Sequence, residues 1–217
     1  MARWAVFDVD GTLLPKSSME QRFILHLVKR GVIPLNNIFS YFFYGIFSAL
    51  KGNCEEGFKN NKRYLKGLAI EEIETIAEYY YSHAISPALS QTGLNTVEEY
   101  RKEGFNILIM SGSPDFLTKH LISEIKPDHS VCTPMEIRDG KFTGGIVGLH
   151  PYGTRKKQIL EKLQPQLDIE FENSIVFANH HADVHHMETF GKVVAVNPTS
   201  ALKRIGKKRG WEIEIWR

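Results

Sequence analysis

The segment 4–13, with the sequence WAVFDVDGTL, constrains this chain more than any other part of it. Its apolar first half is typical of a buried strand, and it leads into two carboxylates, Asp8 and Asp10, followed by a Gly-Thr pair. Open α/β sheets place their chemistry at the carboxyl ends of strands, and a glycine loop lets both carboxylates turn toward one pocket. Two hard anionic oxygens there would attract Mg²⁺, and one carboxylate could attack phosphorus while the other moves a proton.

Composition sets the broad class of the protein. With 217 residues, 42% of them hydrophobic, the chain can bury a substantial core, and its length permits one domain with a sizeable insertion. A formal net charge of +2 does not indicate nucleic acid as a partner, and we expect the basic cluster 203–209 to be a solvated helix face. Cys54 and Cys132 suggest neither a disulfide framework nor a zinc motif. The chain shows no signal segment before its first strand, so we expect a cytoplasmic location.

The region between residues 14 and 104 shows helical patterns and no convincing strand. The predicted helices are 19–29, 35–50, 54–66 and 70–85. An all-helical insertion here separates the first strand from the rest of its sheet, so we expect it to sit above the strand ends as a cap. The stretch 33–50 is apolar nearly all round, and we expect it to pack in a small bundle or face an apolar pocket rather than a membrane.

After the insertion, helices alternate with short apolar strands, which implies a mostly parallel sheet with right-handed crossovers. Asp139 and Gly140, between two alternating runs, predict a β-hairpin. The predicted fold is an α/β protein with a Rossmann-like three-layer α/β/α core, residues 1–14 and 88–217, and an inserted helical cap, residues 15–87. The predicted elements are helices at 94–102, 114–125, 154–164, 182–189 and 199–209, hairpin strands at 135–138 and 141–147, and further strands at 105–110, 130–132, 174–178, 192–196 and 212–216.

A second buried strand ends on Ser111, Gly112 and Ser113, with Pro114 at a helix start. A hydroxyl and free backbone N–H groups at a helix N-terminus form a seat for phosphate. An ordinary capping serine would look the same, but the position after a second buried strand favours the phosphate seat.

The D-x-D-G-T pattern at 8–12 resembles the nucleophile motif of the haloacid dehalogenase superfamily, most of whose members are Mg²⁺-dependent phosphatases. Ser111 occupies the place of the second motif, and two further segments match the third and fourth in order, so the resemblance covers nearly the whole chain. It is closest to the phosphoserine phosphatase-like subfamily, which has a helical cap between its first two motifs. Within that subfamily, residues 8–18 and 197–211 resemble the branch that includes histidinol-phosphatase-like members.

The third motif of this superfamily supplies a lysine at a helix start, which offsets charge on the phosphate and on the nucleophile. Lys156, with Leu160 four positions further on, fits this motif, and Lys157 is the one-residue alternative.

The fourth motif normally reads G-D-x-x-x-D and completes the Mg²⁺ shell. Here Ala178 and Asn179 replace the Gly-Asp pair, and Asp183 supplies the second acid. The resemblance therefore implies a metal set of Asp8, Asp10, Asn179 and Asp183. Because a neutral amide oxygen binds a hard cation less strongly than a carboxylate does, we predict weakened affinity for Mg²⁺.

Four histidines, His180, His181, His185 and His186, crowd the same loop. His181 and His185 lie one helical turn apart, a spacing found in metal sites on helices, while the alternative is that all four are polar residues lining a cleft. His180, next to Asn179, is a candidate for contact with substrate or phosphate.

The resemblance implies that Asp8 attacks phosphorus to form an aspartyl-phosphate, and that Asp10 protonates the leaving alcohol and then activates water. Ser111 and Lys156 would hold the transferring oxygens. The remaining residues predicted to bind phosphate or substrate are Gly11, Thr12, Gly112 and His180.

The function predicted on this basis is Mg²⁺-dependent hydrolysis of a small phosphorylated metabolite. Two alternatives stay open. One is a lipid-phosphate (lysophosphatidate-like) phosphatase at a membrane surface, using the aromatic residues of 39–47; the other is a phosphate-binding protein weakened in catalysis by Asn179.

Phosphoserine is disfavoured as a substrate. Phosphoserine phosphatases generally carry a glutamate shortly after the first motif to hold the substrate amine, and this chain has Ser17 there, with Glu20 three residues further on. Cap residues are expected to select the substrate, and the candidates are Arg22, His26, Lys29, Tyr41 and Tyr44.

Overall fold

A six-stranded sheet forms the centre of the computed structural model, which describes residues 2–16, 18–50 and 61–217. The strands in chain order are β1 (Trp4–Asp8), β2 (Asn106–Pro114), β3 (His129–Thr133), β4 (Met135–Arg138), β5 (Lys141–Ile146), β6 (Ile175–Ala178), β7 (Lys192–Val196) and β8 (Glu212–Glu214). The sheet has the order β3-β2-β1-β6-β7-β8, and every neighbouring pair is parallel. Central β1 is buried along its whole length, which explains its continuous apolar sequence before the first aspartate.

Helices cover both faces of this sheet. The α-helices of the described residues, including those of the insertion, are in chain order α1 (Met19–Lys29), α2 (Leu35–Leu50), α3 (Ile70–Tyr80), α4 (Gln91–Lys102), α5 (Asp115–Ile125), α6 (Thr154–Leu167), α7 (Val184–Met187) and α8 (Ser200–Arg209). Alternate residues of β1 enter two separate apolar cores: Phe7 packs on the side that includes α4 and α5, and Val6 on the side that includes α6 and α8. The predicted three-layer α/β/α arrangement is confirmed.

The insertion between β1 and β2 contains α1, α2 and α3, and its apolar residues join the core on the α4–α5 side. The hairpin β4–β5 is antiparallel, as predicted, and Asp139 and Gly140 both have positive φ, of 51° and 70°. This hairpin extends the insertion, because the Phe142 N–H donates to Leu68 O at 3.0 Å and the Gly67 N–H to Phe142 O at 2.7 Å. The division into a core of 1–14 and 88–217 and a cap of 15–87 stays a prediction.

Helix α2 differs from its expected environment. Phe39 and Phe43 are 72% and 78% exposed, and Phe42 and Phe47 are also exposed, so the expectation of a helix packed within a bundle or against a pocket is wrong for this face. Only the side with Ile38 and Tyr41 packs on the core, since the insertion has no further layer outside α2 among the described residues. Within the described ranges, no helix has the length and apolar character needed to cross a membrane.

Three other predictions differ in extent or cannot be compared. More than half of the predicted helix 54–66 lies outside the described residues, and the part that is described contains a 3₁₀ turn, Arg63–Leu65. Cys54 and Ser17 also lie outside the described residues. The predicted helix 182–189 is a 3₁₀ turn, His181–Asp183, followed by the short α7. The predicted helix 154–164 continues past Pro165 to Leu167, and the capping residue Asp168 has a left-handed φ of 50°.

Candidate active site

The carboxyl ends of β1, β2 and β6 open into one cleft with a volume of about 1040 Å³. Its wall includes Asp8, the last residue of β1, Asp10 from the loop that follows, Lys156 from the first turn of α6, and Asn179 and Asp183 from the segment after β6. These five residues, far apart in sequence, therefore meet at the edge where a parallel sheet places its functional groups.

A buried ammonium joins two of these carboxylates. Lys156 Nζ lies 2.7 Å from Asp8 Oδ1 and 3.1 Å from Asp183 Oδ1, and all three side chains are buried. Burial alone would lower the pKa of Lys156, but the two carboxylates outweigh it and raise the pKa above its usual value. Lys157 is 44% exposed and points to Glu161 instead, so the structure brings Lys156 rather than Lys157 to the first aspartate.

Asp10 is held by both of its carboxyl oxygens. The Met19 N–H, at the start of α1, donates to Oδ1 at 2.6 Å, and the Ser113 hydroxyl donates to Oδ2 at 2.8 Å. Burial raises the pKa of Asp10 to about 6, which these hydrogen bonds oppose only in part. A carboxyl group with this pKa can give and take a proton near neutral pH.

The carboxyl end of β2 presents a different serine from the one expected. Ser111 is fully buried and is absent from the cleft wall, and its Oγ accepts the Ser113 N–H at 3.1 Å. Gly112 and Ser113 line the cleft. Sequence reasoning gave Ser113 no role, and the alternation of side chains along a strand could not separate the two serines, because residues two apart share one face. Phosphate binding by Ser111 stays a prediction.

Thr12 and Gly11 support the first motif. The Thr12 hydroxyl donates to Asp8 Oδ2 at 3.1 Å but is buried behind the cleft wall, whereas Gly11 lines the cleft. Gly11 has a φ of +88°, and a Cβ on it would lie 1.9 Å from Asn179 Nδ2, so the amide packs directly on this glycine.

A further residue that the sequence did not single out ties the loops together. Asn197, just after β7, donates from Nδ2 to Gly11 O at 3.1 Å and accepts the Trp216 N–H at 2.8 Å. Asn179 O accepts the Thr199 N–H at 2.9 Å. These contacts fix the loops after β1, β6 and β7 relative to one another.

The four histidines do not act as one group. His180 lines the cleft, and its Nδ1 accepts the Ala182 N–H at 3.2 Å. His186 is buried beside Asp183, and burial lowers its pKa far below the usual value, while His181 and His185 are exposed. Across residues 2–16, 18–50 and 61–217, no group of three or more His, Cys, Asp or Glu side chains is arranged to hold a metal ion.

Mg²⁺ prefers oxygen ligands and is often held by only one or two carboxylates, and oxygen donors of this kind surround Asp8. Asp8, Asp10 and Asn179 line the same cleft and offer carboxylate, main-chain carbonyl and amide oxygens. This chemistry fits Mg²⁺. Asp183, the fourth predicted ligand, is paired with the Lys156 ammonium.

Side chains of the insertion also line the cleft. Of the five candidates for substrate selection, Arg22 and Tyr41 line the cleft, together with Glu20. The other three, which do not belong to the cleft wall, are His26, Lys29 and Tyr44.

Comparison with known proteins matches residues 5–188 to a family model described as haloacid dehalogenase-like hydrolase. Phosphoserine phosphatase SerB1 of Mycobacterium tuberculosis is 23% identical over 218 residues, covering 98% of this chain and 70% of the relative. A crystal structure of a Bordetella pertussis Tohama I protein of unknown function is similar with a TM-score of 0.83, at 22% identity over 99% of this chain and 98% of that one. A phospho-aspartyl intermediate analogue of phosphoserine phosphatase has a TM-score of 0.65, at 21% identity over 99% and 93% of the two chains.

Proposed function

The chain belongs to the haloacid dehalogenase-like hydrolase family, and we propose that it hydrolyses a small-molecule phosphomonoester through an aspartyl-phosphate on Asp8 with the help of Mg²⁺. The resemblance to phosphoserine phosphatase-like members is confirmed, and the chain is a phosphatase. The predicted branch with histidinol-phosphatase-like members is not confirmed. The relatives imply a small phosphorylated substrate.

The observation that carries this proposal is the 2.7 Å ion pair between Asp8 and Lys156, with Asp10 lining the same cleft. A buried carboxylate beside a permanent cation can approach a phosphate dianion, because the ammonium offsets the repulsion between the two anions. In the first step the Asp8 oxygen bonds to phosphorus, the ester P–O bond breaks, and Asp10 gives its proton to the leaving oxygen. In the second step Asp10 takes a proton from water, whose oxygen attacks phosphorus and releases phosphate from Asp8.

The metal site of this proposal consists of the Asp8 carboxylate, the Asp10 main-chain carbonyl and the Asn179 amide oxygen. Asp183 is a further predicted ligand, although its carboxylate contacts Lys156. When bound, Mg²⁺ would neutralise charge on the phosphoryl oxygens and orient the phosphate for in-line attack. Because Asn179 contributes a neutral oxygen, the proposal includes a weaker affinity for Mg²⁺ than a carboxylate would give.

The substitution Asp8→Asn tests the nucleophile. It keeps the shape of the side chain but removes the attacking charge, so hydrolysis of p-nitrophenyl phosphate should fall to background while the thermal unfolding curve stays cooperative. Turnover retained in a clean preparation would refute a nucleophilic Asp8. A wild-type protein that binds phosphate without turnover would instead support the weakened phosphate-binding alternative.

The exposed aromatic face of α2 favours a second candidate, a lipid-phosphate phosphatase at a membrane surface. Phe39 and Phe43 are exposed, and Tyr41 of the same helix lines the cleft, so a surface-bound lipid could reach both. The double substitution Phe39→Ser and Phe43→Ser should then reduce flotation with anionic vesicles and hydrolysis of vesicle-borne lysophosphatidate, without changing turnover of p-nitrophenyl phosphate. Equal activity of both proteins on vesicles would exclude this candidate.

A further inference from the structure

The buried Lys62 neutralises the charge of Glu20, a residue of the cleft wall. Lys62 Nζ donates to Glu20 Oε1 at 2.7 Å and to Oε2 at 2.5 Å, and the lysine side chain is 0% exposed. The Tyr64 hydroxyl donates to the same Glu20 Oε1 at 2.9 Å. Burial, reinforced by the neighbouring Glu20, raises the pKa of Tyr64 well above its usual value, so this phenol stays a neutral donor.

The position of this cluster relates it to substrate binding. Glu20 lines the cleft directly after Met19, whose N–H holds Asp10, whereas Lys62 approaches the carboxylate from inside the insertion and is absent from the cleft wall. A leaving group that receives a proton from Asp10 would therefore extend toward Glu20. The charge that Glu20 would present to such a group is balanced by Lys62.

A carboxylate without a partner in a partly dry cleft attracts an ammonium group, because a charge-assisted hydrogen bond forms there. A carboxylate that already accepts three hydrogen bonds and faces a buried cation offers little of this attraction. An ammonium-bearing ligand would lose part of its hydration without compensation, which is how a site discriminates against a competing substrate.

We propose that Lys62 sets the substrate class of this cleft by cancelling the charge of Glu20, so that the preferred substrates are phosphomonoesters whose leaving group carries no ammonium. This inference rests on the proposed phosphatase function. It separates the chain from relatives named phosphoserine phosphatase, since phosphoserine is an amine-bearing phosphomonoester.

Ethyl phosphate and ethanolamine phosphate form a matched pair of probes that differ by one terminal ammonium. The readout is the ratio of kcat/KM for ethanolamine phosphate to that for ethyl phosphate. Because Glu20 also acts electrostatically on Asp10, substitutions will change absolute rates, but the ratio removes an effect common to both esters.

Three variants decide the proposal. Lys62→Met frees the Glu20 charge and should raise the ratio about tenfold or more, whereas Glu20→Gln leaves the Lys62 ammonium uncompensated and should lower it. The double variant, which lacks both charges, should keep the ratio within about threefold of wild type. The proposal is overturned if Lys62→Met does not raise the ratio, or if the double variant has a ratio about tenfold below that of wild type, since Glu20 would then recognise the amine directly. If Lys62→Met fails to fold, the comparison of the double variant with wild type decides.

Failure of the proposed phosphatase function would appear as a loss of all hydrolysis, and not as a change in the ratio. If wild type hydrolyses neither ester nor p-nitrophenyl phosphate, the phosphatase assignment fails. The role of Lys62 is then tested by calorimetric titration of the same two ligands into wild type and the double variant, which lacks both charges. Equal relative affinities in the two proteins support the role of Lys62, and selective loss of ethanolamine phosphate binding in the double variant overturns it.

Discussion

Lys156 Nζ lies 2.7 Å from Asp8 Oδ1 across 148 residues of sequence, and it binds a second carboxylate, that of Asp183, at 3.1 Å. The ammonium and the two carboxylates are buried together, so removing Lys156 would leave two uncompensated carboxylates in a poorly solvated place. The ion pair therefore holds α6 to the end of β1 and prepares Asp8 to meet an anionic substrate.

The substitution Lys156→Met should lower kcat for p-nitrophenyl phosphate about a hundredfold or more, because it removes the fixed cation that stabilises the transferring phosphoryl group. Lys157→Met is the matched control, since the side chain of this neighbouring lysine is 44% exposed and forms an ion pair with Glu161. Steady-state kinetics on both variants provides the test. Equal losses in the two variants would contradict the assignment of Lys156.

The pH dependence should report the protonation of Asp10. Burial raises the pKa of this carboxyl from 3.8 to about 6, so its proton is present below that pH and is lost as the pH rises through 6. Hydrolysis of ethyl phosphate, whose leaving group needs a proton, should decline above pH 6. Hydrolysis of p-nitrophenyl phosphate, whose leaving group departs as an anion, should decline less. Parallel pH profiles for the two esters would argue against Asp10 as the acid.

The substitution Asn179→Asp should strengthen Mg²⁺ binding, because a carboxylate replaces a neutral amide oxygen. We expect the Mg²⁺ concentration for half-maximal activity to fall, and the shift in melting temperature on adding Mg²⁺ to grow, since a ligand that binds only the folded state stabilises it. The metal-free variant should be less stable than wild type, because the new charge lies near Asp8 and Asp10. If neither metal affinity nor turnover improves, Asn179 does not bind the metal.

The substitution Gly11→Ala should abolish most Mg²⁺-dependent activity. Its Cβ would lie 1.9 Å from Asn179 Nδ2, so the amide must turn away from the position that the metal site requires. Gly140→Ala is the matched control: it also has a positive φ, of 70°, but nothing lies within 4 Å of its Cβ. Both variants should lose about 1 kcal/mol of stability from backbone strain, and only the first should lose activity. Full activity in Gly11→Ala would contradict the packing of Asn179 on this glycine.

Local patterns were sufficient to predict most of the fold. The helix Met19–Lys29 and the strand Lys192–Val196 were predicted with their observed bounds, because apolar spacing and the flanking residues determine such elements. The Asp139-Gly140 turn was predicted for the same reason. Its pairing with the insertion, through Phe142 and Leu68, could not be predicted, since these residues are distant in sequence and carry no local signal of contact.

In the candidate active site, too, local motifs were predictable and contacts between distant residues were not. Motif order indicated Asp8, Asp10 and Lys156, and the structure places all three around one cleft. The buried position of Ser111 depends on which way each serine faces at the end of β2, which the motif alone does not state. The contact between Lys62 and Glu20 joins residues 42 positions apart and depends on how the insertion folds. The exposed face of α2 was missed because an apolar helix pattern does not reveal how many sides are covered.

Transfer of a phosphoryl group to Asp8 can be captured by a rapid acid quench during turnover, followed by mass spectrometry of the proteolytic peptides. We predict a phosphoryl group on the peptide that contains Asp8, absent from the Asp8→Asn protein and lost on mild alkaline treatment. A turning-over enzyme with no covalent phosphoryl group at any quench time, or with the group on a different residue, would contradict the account.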